Sequence, residues 1–418
     1  MSLVEIESTR IRDSDDDSGR PQLSEKALGL LEAARRVLDR DGADGLTLRA
    51  IANEGKVPTS LAMYYFGSMA KLEALLLDSI WRDEVAQHLE TLQTLPSSFE
   101  DRVDILVNFH SNIAGKLDGF QAYCELITHV IRNPSTKQAV ARIYEGYRSE
   151  LNYPFLVTSE HPSSRTRANS AVMLAAGEGL PIGRLLGLSE PSMLDGFEML
   201  SAIFKQEILN ESPTETPTPP AQLEPTQAVS TDLRAGHGAY KSSNRLLSAG
   251  RRLLHKGGLR ELTFGRIAVE SGESKSLISY HFKSKKGFIN ALVKSLLEEW
   301  LESINRTLID PKLISPALLA RELFSENSPF VTLILLQPVL RRDSELQGIA
   351  RTTYLQAVTL LSGRMNFSTS EHRNCSELTA AAVFLAVLNG LAVQSLYDPK
   401  VFELEPPLGA LLRMLPLA

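Results

Sequence analysis

Cysteine is almost missing from this 418-residue chain, which has two, Cys124 and Cys375. Two distant thiols exclude a disulfide framework and give too few ligands for a zinc site, and they suit a reducing cytoplasm. Aromatic residues are sparse at 6%, with two tryptophans, whereas hydrophobic residues reach 43%, a balance that suits helical globules. Long apolar runs are also missing. The longest, Ala380 to Val393, is too short to cross a bilayer and carries Asn389, so it reads as a buried helix and no membrane partner is expected. The first residues are rich in Asp, Ser and Arg without an apolar segment, which argues against a signal peptide and for a disordered tail over 1–20.

The net charge of −6 is wrong for a nucleic-acid binder until it is resolved along the chain. Residues 241–290 hold eleven Lys or Arg against three Asp or Glu, a local charge of +8, so the remainder carries −14. A cationic patch of this kind is what electrostatic steering to DNA requires.

That patch belongs to an internal repeat. Thr47 and Thr263 are 216 residues apart, and the same spacing superposes Leu30, Leu31, Ala33, Arg35, Arg36, Leu38, Gly42, Leu46, Ile51, Ala52, Glu54, Ser60, Leu61, Tyr64, Phe66 and Ser68 on identical residues without a gap. In the second copy, Thr263 caps a helix with Phe264, Ile267 and Ala268 on its inner face, and Gly272 supplies the left-handed turn that closes it. Ser274 caps the next helix, whose Leu277, Ile278 and Phe282 face inward while Lys275, Ser276, Ser279, Tyr280 and His281 face a groove. Ser284 caps a third, where Lys285 and Lys286 stand at the positive end of the helix dipole, a place suited to a phosphate, with Lys283 just before.

The order LTFGRIA, SGES, SYHF and KSKKGF resembles the DNA-binding head of the TetR (tetracycline-repressor-like) family of transcriptional regulators. The resemblance implies an all-α chain: a tandem repeat of a helix-turn-helix head plus a helical ligand-binding and dimerisation domain. The expected organisation is a first head at 21–84, a first regulatory domain at 85–210, a proline-rich mobile linker at 211–238, a second head at 239–300 and a second regulatory domain at 301–418. The first head departs from the pattern. Lys56 stands in the place of Gly272, with Gly55 beside it to take over the turn; Pro58 replaces Ser274, and Met69 and Ala70 replace Lys285 and Lys286. Residues 25–74 carry seven basic and seven acidic residues, so this head is expected to hold phosphates less well. Its groove-facing candidates are Thr47, Arg49, Thr59, Ser60, Met63, Tyr64 and Tyr65.

The resemblance further implies a double-stranded operator as partner and two terminal helices in each half that pair in a four-helix bundle. The candidates are 167–187 with 192–209 and 374–396 with 407–415, joining the halves as an intramolecular pseudo-dimer; a further homodimer is left open. Small residues along Ala171, Ala175, Ala176, Gly177 and Gly179, and along Ala380, Ala381, Ala382, Ala386 and Gly390, permit close helix approach, though they equally suit ordinary interior packing. Tyr123, His129, Tyr144 and Tyr147 in the first half, and Gln337, Tyr354 and Gln356 in the second, are candidates to line a site for a small hydrophobic effector, or are core residues with no ligand.

Catalytic and metal sites are not expected, nor is a cofactor. Gly177, Gly179 and Gly183 imitate a nucleotide loop, but Pro181 interrupts them and no strand precedes. His110, Cys124 and His129 read as pocket wall. The competing reading is a helical sensor or protein-interaction module whose first head, at least, has lost DNA binding.

Overall fold

The computed structural model describes residues 24–92, 95–115, 126, 134–156, 164–185, 190–209, 238–308, 314–325, 327–365, 376–397, 403–415 and 417. Tyr123, Cys124, His129 and Cys375, the tail and nearly all of the linker fall outside these residues. The fold is all-α, with one isolated bridge, Met365 to Leu417, among the described residues.

The first head comprises α1 (Glu25–Gly45), α2 (Leu48–Glu54), α3 (Thr59–Phe66) and α4 (Met69–Leu92). Its start signals act as the sequence implies. Ser24 accepts from Ala27 N, Thr47 from Ala50 N and Ser68 from Lys71 N, each cap being worth about 1 kcal/mol. Pro58 makes no such side-chain bond. The turn before α3 differs from expectation. Gly55 stays right-handed at φ −77°, and Lys56 itself takes the left-handed conformation at φ 54°. A non-glycine residue is strained there, because its Cβ crowds the backbone.

The first body comprises α5 (Phe99–Gly115), α6 (Pro134–Gly146) running through a π-turn at Tyr147–Asn152 into α7 (Tyr153–Leu156), then α8 (Ser164–Leu185) and α9 (Glu190–Leu209). The second head is α10 (Gly238–Gly257), a 3₁₀ turn at Gly258–Glu261, α11 (Phe264–Ser271), α12 (Lys275–Phe282) and α13 (Lys285–Thr307). Thr263, Ser274 and Ser284 accept from Arg266, Leu277 and Gly287 N at 3.0–3.3 Å, and Gly272 sits at φ 72° as its turn requires. The second body holds α14 (Pro316–Leu323), α15 (Pro329–Arg342), α16 (Ser344–Ser362), α17 (Glu377–Ser395) and α18 (Glu405–Met414).

The second head shares a core with the corner of its own body. Leu254, Ile267, Ile278, Phe282, Phe288 and Leu292 pack in one cluster with Leu335, Leu336, Leu340 and Leu346 of α15 and α16. The first head and both bodies share another cluster.

The most extensive contact between helices joins α8 of one half to α17 of the other. Both carry Ala-x-x-x-Gly, Ala175 to Gly179 and Ala386 to Gly390, with 211 residues between equivalents. The contact is reciprocal. A Cβ on Gly179 would collide with the Ala386 carbonyl, and one on Gly390 with the Ala175 carbonyl. Only glycine permits this approach, and four residues place alanine and glycine on one helix face. α9 also packs on α17, α18 packs on α8, and Gly196 lies against Val383. α17 is long and apolar enough to cross a membrane, yet 78% of that apolar stretch is buried inside the protein.

Candidate nucleic-acid interface

In both heads the α1–α2 and α10–α11 corners are braced in the same way, by two cations on one carboxylate. Glu54 takes Arg36 at 2.9 Å and Arg40 at 2.7 Å, while Glu270, 216 positions later, takes Arg252 and Lys256, each at 2.8 Å. These cations hold the carboxyls below the ordinary range, Arg40 contributing most at Glu54 and Lys256 most at Glu270. The brace fixes the second helix against the first, leaving α3 and α12 to present their outer faces.

On α12, Lys275, Ser276, Ser279 and Tyr280 stand exposed, Tyr280 at 79%. On α3, Thr59, Ser60, Met63 and Tyr64 occupy the same places and are likewise exposed. Thr47, Arg49 and Thr263 lie exposed at the starts of α2 and α11. The last residue of each pair behaves differently. His281 and Tyr65 are half-buried, and the inward Nε2 of His281 finds no partner among the described residues. Both lie between the core and the exposed faces of α3 and α12. Gly265 stands where the first head has Arg49, and a Cβ there would lie 3.5 Å from Lys275 Cε and 3.6 Å from its Nζ. The Lys275 ammonium thus comes beside the backbone position from which Arg49 projects in the other head.

Several cations of the second head are engaged within the protein, although among the described pairs only Arg251 and Lys286 draw on acids outside the 241–290 window. Arg245 pairs with Glu273 at 2.7 Å, Arg251 with Glu299 at 2.8 Å, Arg266 with Glu261, and Lys286 with Asp343 at 3.0 Å. Lys275, Lys283 and Lys285 have no carboxylate pair among the described residues, although Lys285 donates to the Leu259 carbonyl at 3.2 Å. Lys283 closes α12 at φ 59°, where Gly67 closes α3 at φ 67°.

The candidate effector residues are distributed through the bodies. Tyr354 is buried, stacked on Trp300 at 6.2 Å, and its hydroxyl donates to the Ala382 carbonyl at 3.2 Å. Tyr147 and Gln337 are buried. Tyr144 donates its hydroxyl to Glu178 and stacks at 4.5 Å on Tyr397 of the other half. Burial pushes the Glu178 carboxyl up to about 8, against smaller opposing effects of Tyr144, Arg148 and Gln394. Gln394 crosses between the halves, accepting from Arg148 at 3.2 Å and donating to the Ala171 carbonyl at 3.3 Å. A shallow groove outside α16 is lined by Thr352, Leu355, Gln356, Thr359 and Leu360, so of the candidates it takes in Gln356 alone.

His110, expected as pocket wall, bonds Asn152 at 3.1 Å, and burial lowers its pKa to about 4, so it is neutral at pH 7. Sequence reasoning passed over several other groups. Asn169 on α8 is wholly buried, with neither amide atom bonded among the described residues. Asp343, Glu178 and Gln394 were also missed. A charged residue inside the small-residue stretch AAGEGL was the available signal for Glu178; for the others, nothing local marks the partner.

Comparison with known proteins agrees with the heads. The family model described as bacterial regulatory proteins, tetR family, matches residues 30–74 and again 246–292. A curated relative, the HTH-type transcriptional regulator BetI of Brucella anthropi, is 25% identical over 187 residues, spanning 44% of this chain and 93% of its own. Among solved structures, the multidrug binding protein EbrR complexed with imidazole is 20% identical, with 44% of this chain and 95% of that one covered and a TM-score of 0.33.

Proposed function

We propose that this chain, a two-unit TetR-like transcriptional regulator, does in one polypeptide what two subunits do elsewhere: its halves pair through α8, α9, α17 and α18 and bring two unlike heads to one operator. The observation that carries this reading is the reciprocal contact of Gly179 with Ala386 and Gly390 with Ala175. It has the form of a two-fold interface, in which each patch meets its own equivalent. Joining the halves covalently makes pairing intramolecular, with an effective concentration that can reach about millimolar, so it persists on dilution. Light scattering of the free protein and stoichiometry on DNA test it. The expected species has the chain mass of 46.0 kDa and binds one per site. A two-chain dimer using only its second heads on a perfect palindrome would overturn it.

The direction of control is repression relieved by a small, largely apolar effector in the cytoplasm, without catalysis. Asn169 supports a polar contact for such a ligand, since a buried amide without partners is costly and a ligand would relieve the cost. Binding of effector weakens DNA affinity only to the extent that it prefers one arrangement of the heads. The effector arm is tested by screening apolar metabolites for thermal stabilisation and then for release from DNA; stabilising ligands that never change DNA affinity would refute it. A second reading, in which the first head serves mainly as structure, is favoured by Met69 and Ala70 standing where the second head has lysines.

A further inference from the structure

The start of α13 has the chemistry of a phosphate site: a capped helix N-terminus with two lysines at its first positions. That site is already occupied from within. Lys286 Nζ lies 3.0 Å from Asp343 Oδ2, at the corner where α15 gives way to α16. Asp343 divides its two oxygens. Oδ1 caps α16, accepting from Glu345 N at 3.1 Å and Leu346 N at 3.2 Å, while Oδ2 faces the lysine. A second tie follows about two turns further along α13, Lys294 to Glu345 at 2.9 Å. Lys286 remains largely exposed while Asp343 is sheltered at 14%, so the mobile partner is the lysine and the fixed one is the carboxylate. The first head has Ala70 at the equivalent position and cannot form this pair.

We infer that Asp343 is an internal competitor of the DNA backbone: it holds Lys286 in the unbound chain, and a duplex phosphate must displace it. Affinity at the second head is thereby set partly by the body, because the competing carboxylate belongs to the helix that also carries Tyr354. One lysine cannot serve both anions at full strength, and the exchange trades one charge-assisted contact for another. The inference rests on the second head binding DNA.

The test uses the full chain and a random-sequence duplex of about 40 base pairs, since phosphate contacts are independent of sequence. Asp343→Asn retains a good capping oxygen while removing the charge, and Asp343→Ser does the same with a smaller cap. Both variants should melt near the parent temperature and bind the duplex about two- to fivefold more tightly at low salt. With Lys286→Ala in the background, the gain from Asp343→Asn should fall below about 1.5-fold, a residue of long-range charge. An equal gain in both backgrounds, or no gain in the parent, would overturn the competitor alone. Absence of duplex binding by every protein in the cycle would overturn it together with the DNA-binding reading.

Discussion

Gly179 of α8 lies so close to the Ala386 carbonyl of α17 that no Cβ could stand between them, and Gly390 meets the Ala175 carbonyl in the same way. Backbone, and not long side chains, forms the centre of the contact between halves. Close approach trades side-chain area for many backbone–backbone dispersion contacts, and it leaves little tolerance for added volume.

Replacing either glycine by leucine should therefore separate the halves. Gly179→Leu or Gly390→Leu is expected to destabilise the chain by about 3 kcal/mol, through overpacking that side-chain motion cannot relieve. Gly348→Ala is the control, because a Cβ there meets nothing within 4 Å. It lies inside α16 and should be neutral or slightly stabilising. Urea denaturation with light scattering distinguishes the outcomes.

Glu178 makes stability fall with pH. Its folded pKa of about 8 lies above the ordinary 4.5, so the folded chain binds the extra proton between those values. Stability is fully present below the lower value and is lost as pH rises through the upper one, at up to about 1.4 kcal/mol per pH unit. Glu178→Gln should flatten the profile and exceed the parent in stability above pH 8. Matched urea titrations from pH 5 to 9 check this, and a parallel decline in both proteins would place the cause elsewhere.

The exposed lysines of the second head should dominate the salt dependence of DNA binding. Lys275→Ala and Lys283→Ala should each lower the slope of log affinity against log salt by about 0.9. Thr59→Ala, at the place of Lys275, should leave the slope unchanged, since Thr59 carries no charge. Fluorescence anisotropy over a salt series measures both.

Asn169 should connect stability to response. Asn169→Leu removes two unbonded buried polar atoms and should stabilise the free chain by about 1–3 kcal/mol while abolishing release from DNA by the effector. Stabilisation with an intact response would remove Asn169 from the effector site.

The heads were legible in the sequence because their signals are local. Caps, turns and inward positions lie within four residues of one another, so Thr263, Ser274, Ser284 and Gly272 could be assigned from spacing. Lys56 was not, since strain at φ 54° depends on how α2 and α3 are held by the packing around them. The two Ala-x-x-x-Gly segments were visible as small-residue stretches, yet their register against each other is a tertiary fact. So is the engagement of Lys286, whose partner Asp343 lies 57 positions away on another helix. Charge counting located the cationic head and could not separate cations bonded to the protein from those turned outward.

The contact made by Gln394 occurs once. At the spacing of 211 its counterpart is Gly183, and the counterpart of Glu178 is Asn389. In an assembly of two identical chains each codon change is expressed twice at the two-fold axis, so a substitution costing about 1.4 kcal/mol per copy shifts the pairing equilibrium about a hundredfold. Here the same substitution is counted once and shifts it about tenfold. Mutational dosage at this joint is therefore halved, and each side can vary its sequence without altering the other.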